Sequence, residues 1–243
     1  MNWVEQCGVV IPCLNEAATI GALVTEVRRH LPTVLVVDDG SNDSTAELAA
    51  RAGAIVLRNS MPRGKGAALA TGFRWLREKG YGWALTMDGD GQHEPGDIPG
   101  MLRSAECSGA SLIVGNRMAD ARLMPWLRRQ VNCWMSDRLS RIAGQSLPDS
   151  QCGFRLLQLS VWASLDLRCE HFEVESEMLL AFIAAGQRAE FVPISVIYRG
   201  EQSKINPLLD SWRWLRCWWR LRVDNAPRRQ VHPVPVAARP IPN

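Results

Sequence analysis

Through the first half of the chain, short apolar runs alternate with stretches whose apolar residues recur at helical spacing. Gly8–Pro12 reads as a strand, and Glu16–His30, with Ile20, Leu23, Val24 and Val27 on one side, as a helix. Val34–Val37 predicts a second strand, and Ser44–Arg51 a helix that Asp43 or Ser44 is placed to cap. Strands at Ala54–Leu57, Tyr81–Met87 and Ser111–Val114 alternate with helices at Gly66–Lys79 and Asp97–Ala105. Apolar strands separated by helices predict an α/β fold: a mostly parallel central sheet with helices on both faces. The second half is less regular, with helices predicted at Pro125–Ala143 and Glu173–Ala185 and extended segments at Gly153–Leu159 and Arg188–Tyr198.

Pro207–Val223 reads as a C-terminal amphipathic helix. Leu208, Trp212, Leu215 and Trp219 share a face, Trp214 and Trp218 widen it, and Arg213, Arg216 and Arg220 run along its edge. Tryptophan and arginine in that arrangement suit a helix lying in a membrane interface, the alternative being a face packed on the main domain or on a second copy. Beyond Asn225 the prolines and the shortage of large apolar residues predict a disordered tail. The expected organisation is a main domain over residues 1–206, the helix over 207–224 and the tail over 225–243.

Composition changes this picture in two places. The net charge of +3 is uneven: from Val196 onward nine Lys and Arg stand against three Asp and Glu, so a basic end follows a mildly acidic body. That end suits an anionic membrane surface; nucleic acid is not supported by a net charge so near neutral. The seven cysteines are odd in number and scattered, which points to a reducing cytoplasm rather than a disulfide framework or a zinc site. With neither a signal peptide nor a membrane-spanning run evident, the expectation is a cytoplasmic protein, peripheral on the inner face of the membrane.

Three polar clusters follow predicted strands at their carboxyl ends: Pro12-Cys13-Leu14-Asn15-Glu16, Asp38-Asp39-Gly40-Ser41 and Asp88-Gly89-Asp90-Gly91-Gln92. Open parallel sheets bind ligands along that edge. Asp88 and Asp90, two apart, point the same way in extended backbone and form with Gln92 an oxygen-rich face suited to Mg2+ or Mn2+. An acidic turn is the alternative. Asp38 and Asp39 are placed to accept from a base N–H or a ribose hydroxyl, or else simply make a turn. Asn15 and Glu16 either cap a helix or join the nucleotide site. Gly64-Lys65-Gly66 opens a helix where backbone N–H groups and Lys65 can meet phosphate, although the spacing is not that of a Walker loop.

Together these segments resemble the family-2 glycosyltransferases of the GT-A fold, a Rossmann-like nucleotide-binding architecture, and especially the polyprenyl-phosphate sugar synthases. VVIPCLNEAATI, VVDDGSNDST, RGKGAAL and MDGDGQHEP carry the resemblance, which runs from about Val9 to Leu215. It implies that Pro12, Glu16, Asp38 and Asp39 hold the nucleotide, and that Asp88, Asp90 and Gln92 hold the metal and diphosphate. It further implies that Arg117 and Arg129 face an acceptor phosphate, that DSQCGFR from Asp149 lies on the acceptor side, and that Arg199, Ser203 and Lys204 close over the diphosphate. One departure is Gly89, where these synthases usually carry Ala.

The resemblance implies transfer of a sugar from a nucleotide-sugar donor to a polyprenyl-phosphate or other lipid-linked acceptor, with inversion by direct displacement. A lipid phosphate is already an anion and needs no strong base; a sugar hydroxyl does, and Asp149, Glu173 or Glu175 would then be candidates. Rival readings are a polysaccharide glycosyltransferase, a sugar nucleotidyltransferase and a non-catalytic membrane-associated scaffold.

Overall fold

The structure, a computed structural model, describes residues 1–120 and 124–197. In chain order the elements are α1 (Trp3–Gln6), β1 (Cys7–Cys13), α2 (Ile20–Val27), β2 (Val34–Asp38), α3 (Thr45–Arg51), β3 (Ile55–Arg58), α4 (Lys65–Glu78) and β4 (Trp83–Thr86). There follow α5 (Ile98–Ser108), β5 (Leu112–Asn116), α6 (Trp126–Ala143), β6 (Arg155–Gln158), α7 (Leu159–Trp162), α8 (Val174–Ala184) and β7 (Ala189–Pro193). One sheet of seven strands takes the order β3-β2-β1-β4-β6-β5-β7. It is parallel except for β6, which runs antiparallel to both of its neighbours. The α/β, mostly parallel architecture is therefore the one the alternation predicts. The segment 207–224, the tail, and the loop residues Arg199, Ser203 and Lys204 lie outside the described residues.

Burial follows the pattern of apolar positions. Every residue of β2 is buried, as are all but Pro12 in β1, so both faces of the central strands are covered. Helix α2 turns Ile20, Leu23, Val24 and Val27 into that core, a stripe at helical spacing. Its regular turns begin at Ile20 rather than Glu16, because the residues before it are tied to the loop after β2. Asp43 takes the Thr45 N–H at 3.0 Å, whereas Ser44 at the N-cap makes no side-chain capping bond. Each large aliphatic side chain buried in the core stabilises the fold by roughly 1.5–3 kcal/mol. Helix α6 differs: only Asn132, Ser136 and Leu139 are buried, and Trp126, Leu127, Val131 and Trp134 are exposed.

The reversal of β6 has a positional consequence. An antiparallel strand enters where its parallel neighbours leave, so the segment before β6 lies at the carboxyl edge of β4 and β5. Thr86, the last residue of β4, pairs with Arg155 and donates from Oγ1 to the Gly153 carbonyl at 2.7 Å. Sequence patterning marks Gly153–Leu159 as extended but carries no sign of its direction.

Candidate active site

The three polar clusters do meet on one edge. Asp39 N donates to the Cys13 carbonyl at 2.8 Å, and Asn15 N to Ser41 Oγ at 2.9 Å. Asn15 Oδ1 in turn accepts from Asn42 N at 2.9 Å, and Glu16 N donates to Thr45 Oγ1 at 2.8 Å. Asn15 holds a positive φ of 55°, and these bonds hold its turn in place. Thr19 donates from Oγ1 to the Gly89 carbonyl at 2.6 Å, which joins the first cluster to the third. A threonine at the N-cap of α2 gave no sequence signal for that role.

Asp38 and Asp39 are both buried and both engaged. Asp38 Oδ1 accepts from Ser41 N at 2.9 Å, and its Oδ2 lies 3.2 Å from Arg58 Nε. Asp39 accepts from Asn59 Nδ2 at 2.7 Å, Arg63 N at 3.0 Å and Gly64 N at 2.7 Å. Asp39 thus shapes the loop that leads to Lys65.

Lys65 points inward. Its Nζ lies 2.5 Å from Asp88 Oδ1 and 2.5 Å from Glu175 Oε1, in the first turn of α8. Burial works against the ammonium, but the two carboxylates outweigh it and hold its pKa above the usual lysine range. Burial likewise works to raise the Asp88 carboxyl, yet Lys65 and then His93 hold it well below the ordinary carboxylate range. The buried His93 places Nε2 3.4 Å from Asp88 Oδ2 and packs its ring on Phe154. His171 stands instead beside Gly64, at the turn that opens α4.

Asp90 is pushed the other way, upward, first by burial and then by the nearby Asp88 charge. Its Oδ1 accepts from Gln92 N at 3.0 Å. Close packing sets the backbone around this pair. A Cβ on Gly89 would stand 2.6 Å from Cys13 Sγ, and one on Gly153 would stand 2.6 Å from an Asp88 carboxylate oxygen.

Of the residues expected on the acceptor side, Arg117 and Asp149 form a buried bidentate pair. Nε meets Oδ2 at 2.8 Å and Nη2 meets Oδ1 at 2.8 Å. Asp149 also accepts from Arg117 N at 3.0 Å, Asn132 Nδ2 at 3.2 Å and Gln151 N at 3.3 Å. Burial works to raise its pKa, but the bonds and charge of Arg117 prevail and depress it. Arg129 is exposed in the first turn of α6; its neighbour Arg128 donates from Nη1 to Gln92 Oε1 at 3.3 Å. Helical spacing could not choose between two adjacent arginines. Arg155, wholly buried, donates to the carbonyls of Cys152, Ser150 and Glu175 and so fixes the loop from Asp149 to Gly153.

Residues 8–161 match the family model described as glycosyl transferase family 2. The chain is 30% identical over 203 residues to the undecaprenyl-phosphate mannosyltransferase of Micrococcus luteus, covering 78% of this chain and 83% of that protein. It is 33% identical over 171 residues to the polyprenol monophosphomannose synthase of Mycolicibacterium smegmatis, covering 65% and 64%. Among solved structures, glucosyl-3-phosphoglycerate synthase from Mycobacterium tuberculosis, in complex with Mn2+, UDP and glucosyl-3-phosphoglycerate, superposes with a TM-score of 0.65. Its sequence identity is 19%, with 91% of this chain and 80% of that chain covered, a likeness of fold.

Proposed function

The chain belongs to glycosyl transferase family 2, and on that premise we propose that it moves a sugar from a nucleotide-sugar donor to a polyprenyl phosphate or another lipid-linked acceptor. The observation that carries this reading is the meeting of Glu16, Lys65, Asp88 and Asp90 at the carboxyl edge of the sheet. The two similar enzymes are named for transfer to a polyprenyl carrier, and the superposed synthase was solved with Mn2+ and UDP.

The residues fit a divalent cation. Asp88, Asp90 and Glu175 against Lys65 leave a two-unit negative excess. Among the described residues no three His, Cys, Asp or Glu side chains converge as ligands. Asp88 and Asp90 alone are a partial set of hard oxygens, and a Mg2+ site completed by phosphate and water needs no more. Asp88, Asp90 and Gln92 would hold Mg2+ or Mn2+, which would neutralise charge on the departing diphosphate. In the reaction the bond between the anomeric carbon and the donor phosphate oxygen breaks. An acceptor oxygen forms the new bond from the opposite face, which inverts the centre. The chain's own task is to align two anionic partners and exclude water.

An acceptor that is already an anion suits this site. Of the three carboxylates that could serve as a base, Glu175 is engaged by Lys65 and Asp149 by Arg117, which leaves a sugar hydroxyl only Glu173, the half-buried N-cap of α8. We assign Arg117, held by Asp149, and Arg128 and Arg129 in the first turn of α6 to the acceptor side, and Pro12, Asn15, Glu16, Asp38 and Asp39 to the nucleotide side. Arg199, Ser203 and Lys204 remain assigned to closing over the diphosphate. The exposed Trp126, Leu127, Val131 and Trp134 on α6, whose first turn reaches Gln92, favour arrival of the acceptor from a membrane surface.

The test is transfer from GDP- and UDP-sugars to a short-chain polyprenyl phosphate with Mn2+. Wild type should release nucleoside diphosphate, and folded Asp90→Ala should lose at least about a hundredfold in kcat/KM. Near-normal turnover by that variant would defeat the assignment, and release of pyrophosphate from a nucleoside triphosphate would mark a nucleotidyltransferase instead.

A further inference from the structure

Lys65 cannot move far as a whole. The turn that opens α4 is held on both sides, by Gly64 N on Asp39 Oδ2 at 2.7 Å and by Gly66 N on the Glu170 carbonyl at 2.7 Å. Glu175 is equally fixed: its carbonyl accepts from Arg155 Nη1 at 2.7 Å, and the next residue, Ser176, accepts from Gln151 Nε2 at 2.7 Å. Between these two anchored backbones a single ammonium is shared, 2.5 Å from Asp88 Oδ1 and 2.5 Å from Glu175 Oε1. Only 13% of the Lys65 side chain and 6% of the Glu175 side chain are exposed, so water screens the pair weakly.

Asp88 is thereby asked to serve two cations. An ammonium bound to it alone would compete with a divalent ion for the same carboxylate and repel that ion at short range. A second carboxylate on the same ammonium competes for it and offsets its charge.

We propose that Glu175 is a positioning residue which, by holding Lys65 between itself and Asp88, sets the affinity of the Asp88–Asp90 segment for its divalent cation. This rests on the metal-dependent reading above. It assigns Glu175 an electrostatic task rather than that of a general base, and it makes Lys65 an internal counter-ion to the metal segment rather than a direct phosphate ligand. A purely structural tie between α4 and α8 would affect stability when broken but would leave cation affinity unmoved.

The charges give opposite signs for the two single substitutions. Glu175→Gln keeps the shape and leaves the ammonium to Asp88, so Mn2+ should bind about tenfold more weakly. Lys65→Met removes the competitor, so Mn2+ should bind more tightly by a similar factor, about tenfold. The double variant Lys65→Met/Glu175→Gln removes one charge of each sign and should return close to wild type.

The experiment is titration of the full chain and its variants with Mn2+ alone, followed by the electron paramagnetic resonance of free Mn2+, without donor or acceptor, with Asp90→Ala alongside. Opposite shifts in the singles and recovery in the double support the proposal. Unchanged Kd values, or shifts of the same sign, overturn it while wild type still binds Mn2+ and Asp90→Ala does not. If wild type binds no Mn2+ either alone or with GDP or UDP supplying the missing phosphate oxygens, the metal reading fails and the proposal falls with it. Should Lys65→Met alone not fold, the comparison of Glu175→Gln with the double variant still decides, since the added loss of Lys65 must restore affinity.

Discussion

Gly89 shows how one residue's identity depends on a neighbour far from it in sequence. The polyprenyl-phosphate sugar synthases it resembles usually carry a methyl at that position, yet here a Cβ would come within 2.6 Å of Cys13 Sγ and 3.2 Å of Glu16 Cγ. Cys13, buried at the end of β1, fills the space an alanine would use. Gly89→Ala should therefore cost about 1–3 kcal/mol, the usual range for overpacking. The double variant Cys13→Ala/Gly89→Ala should recover most of that loss, because the added methyl then meets a cavity instead of sulfur. Urea midpoints of wild type, Gly89→Ala, Cys13→Ala and the double variant measure it, and a Gly89→Ala chain as stable as wild type would show that Cys13 simply turns aside. The two glycines packed around Asp88 thus differ in purpose: Gly89 makes room for a thiol, Gly153 for the Asp88 carboxylate.

Among the described elements, α6 has a surface the core does not explain. It spans 18 residues, yet Trp126, Leu127, Val131 and Trp134 face outward at 75%, 61%, 49% and 47% exposure. Arg128, Arg129, Arg138 and Arg141 accompany them, with Asp137 paired to Arg141 at 3.0 Å. Exposed aromatic and aliphatic side chains with an excess of positive charge fit an anionic bilayer surface, where each basic residue adds roughly 1 kcal/mol. The full chain should sediment with anionic vesicles less completely as salt rises, and Trp126→Ser/Trp134→Ser should lower the bound fraction several-fold while thermal unfolding is unchanged. Equal partitioning of wild type and variant would remove α6 from the docking surface. The sequence placed this property on the helix over 207–224, which lies outside the described residues; in α6 the apolar and basic residues are mixed around the helix too evenly for periodicity alone to single out a face.

At the scale of the whole molecule, the buried pair of Asp149 and Arg117 ties the loop before β6 to the end of β5 and links stability to pH. Its Asp149 carboxyl is depressed on folding, so its contribution is fully present above the unfolded value near pH 3.9 and is lost as pH falls through the folded one. Asp149→Asn should cost about 3–5 kcal/mol at neutral pH by leaving Arg117 without its anion, and its stability should fall less steeply below pH 4. Urea midpoints across pH 3 to 7 test this, and parallel curves for the two proteins would count against the linkage. Seen at the same scale, sequence alone determined the α/β alternation, the central strands, and the arrival of three polar clusters at strand ends, because strand and helix periodicities and strand-end clusters are local properties. It also carried the family, since ordered motifs survive as strings. It could not determine that β6 runs antiparallel, because both directions bury the same alternating side chains; only pairing with β4 and β5 decides. Nor could it show that Lys65 turns in toward Asp88 and Glu175, that Asp149 is the partner of Arg117, or that Arg128 rather than Arg129 meets Gln92. Those pairings join residues separated by up to 110 positions, and a side chain's charge does not reveal which distant charge the folded backbone will set beside it.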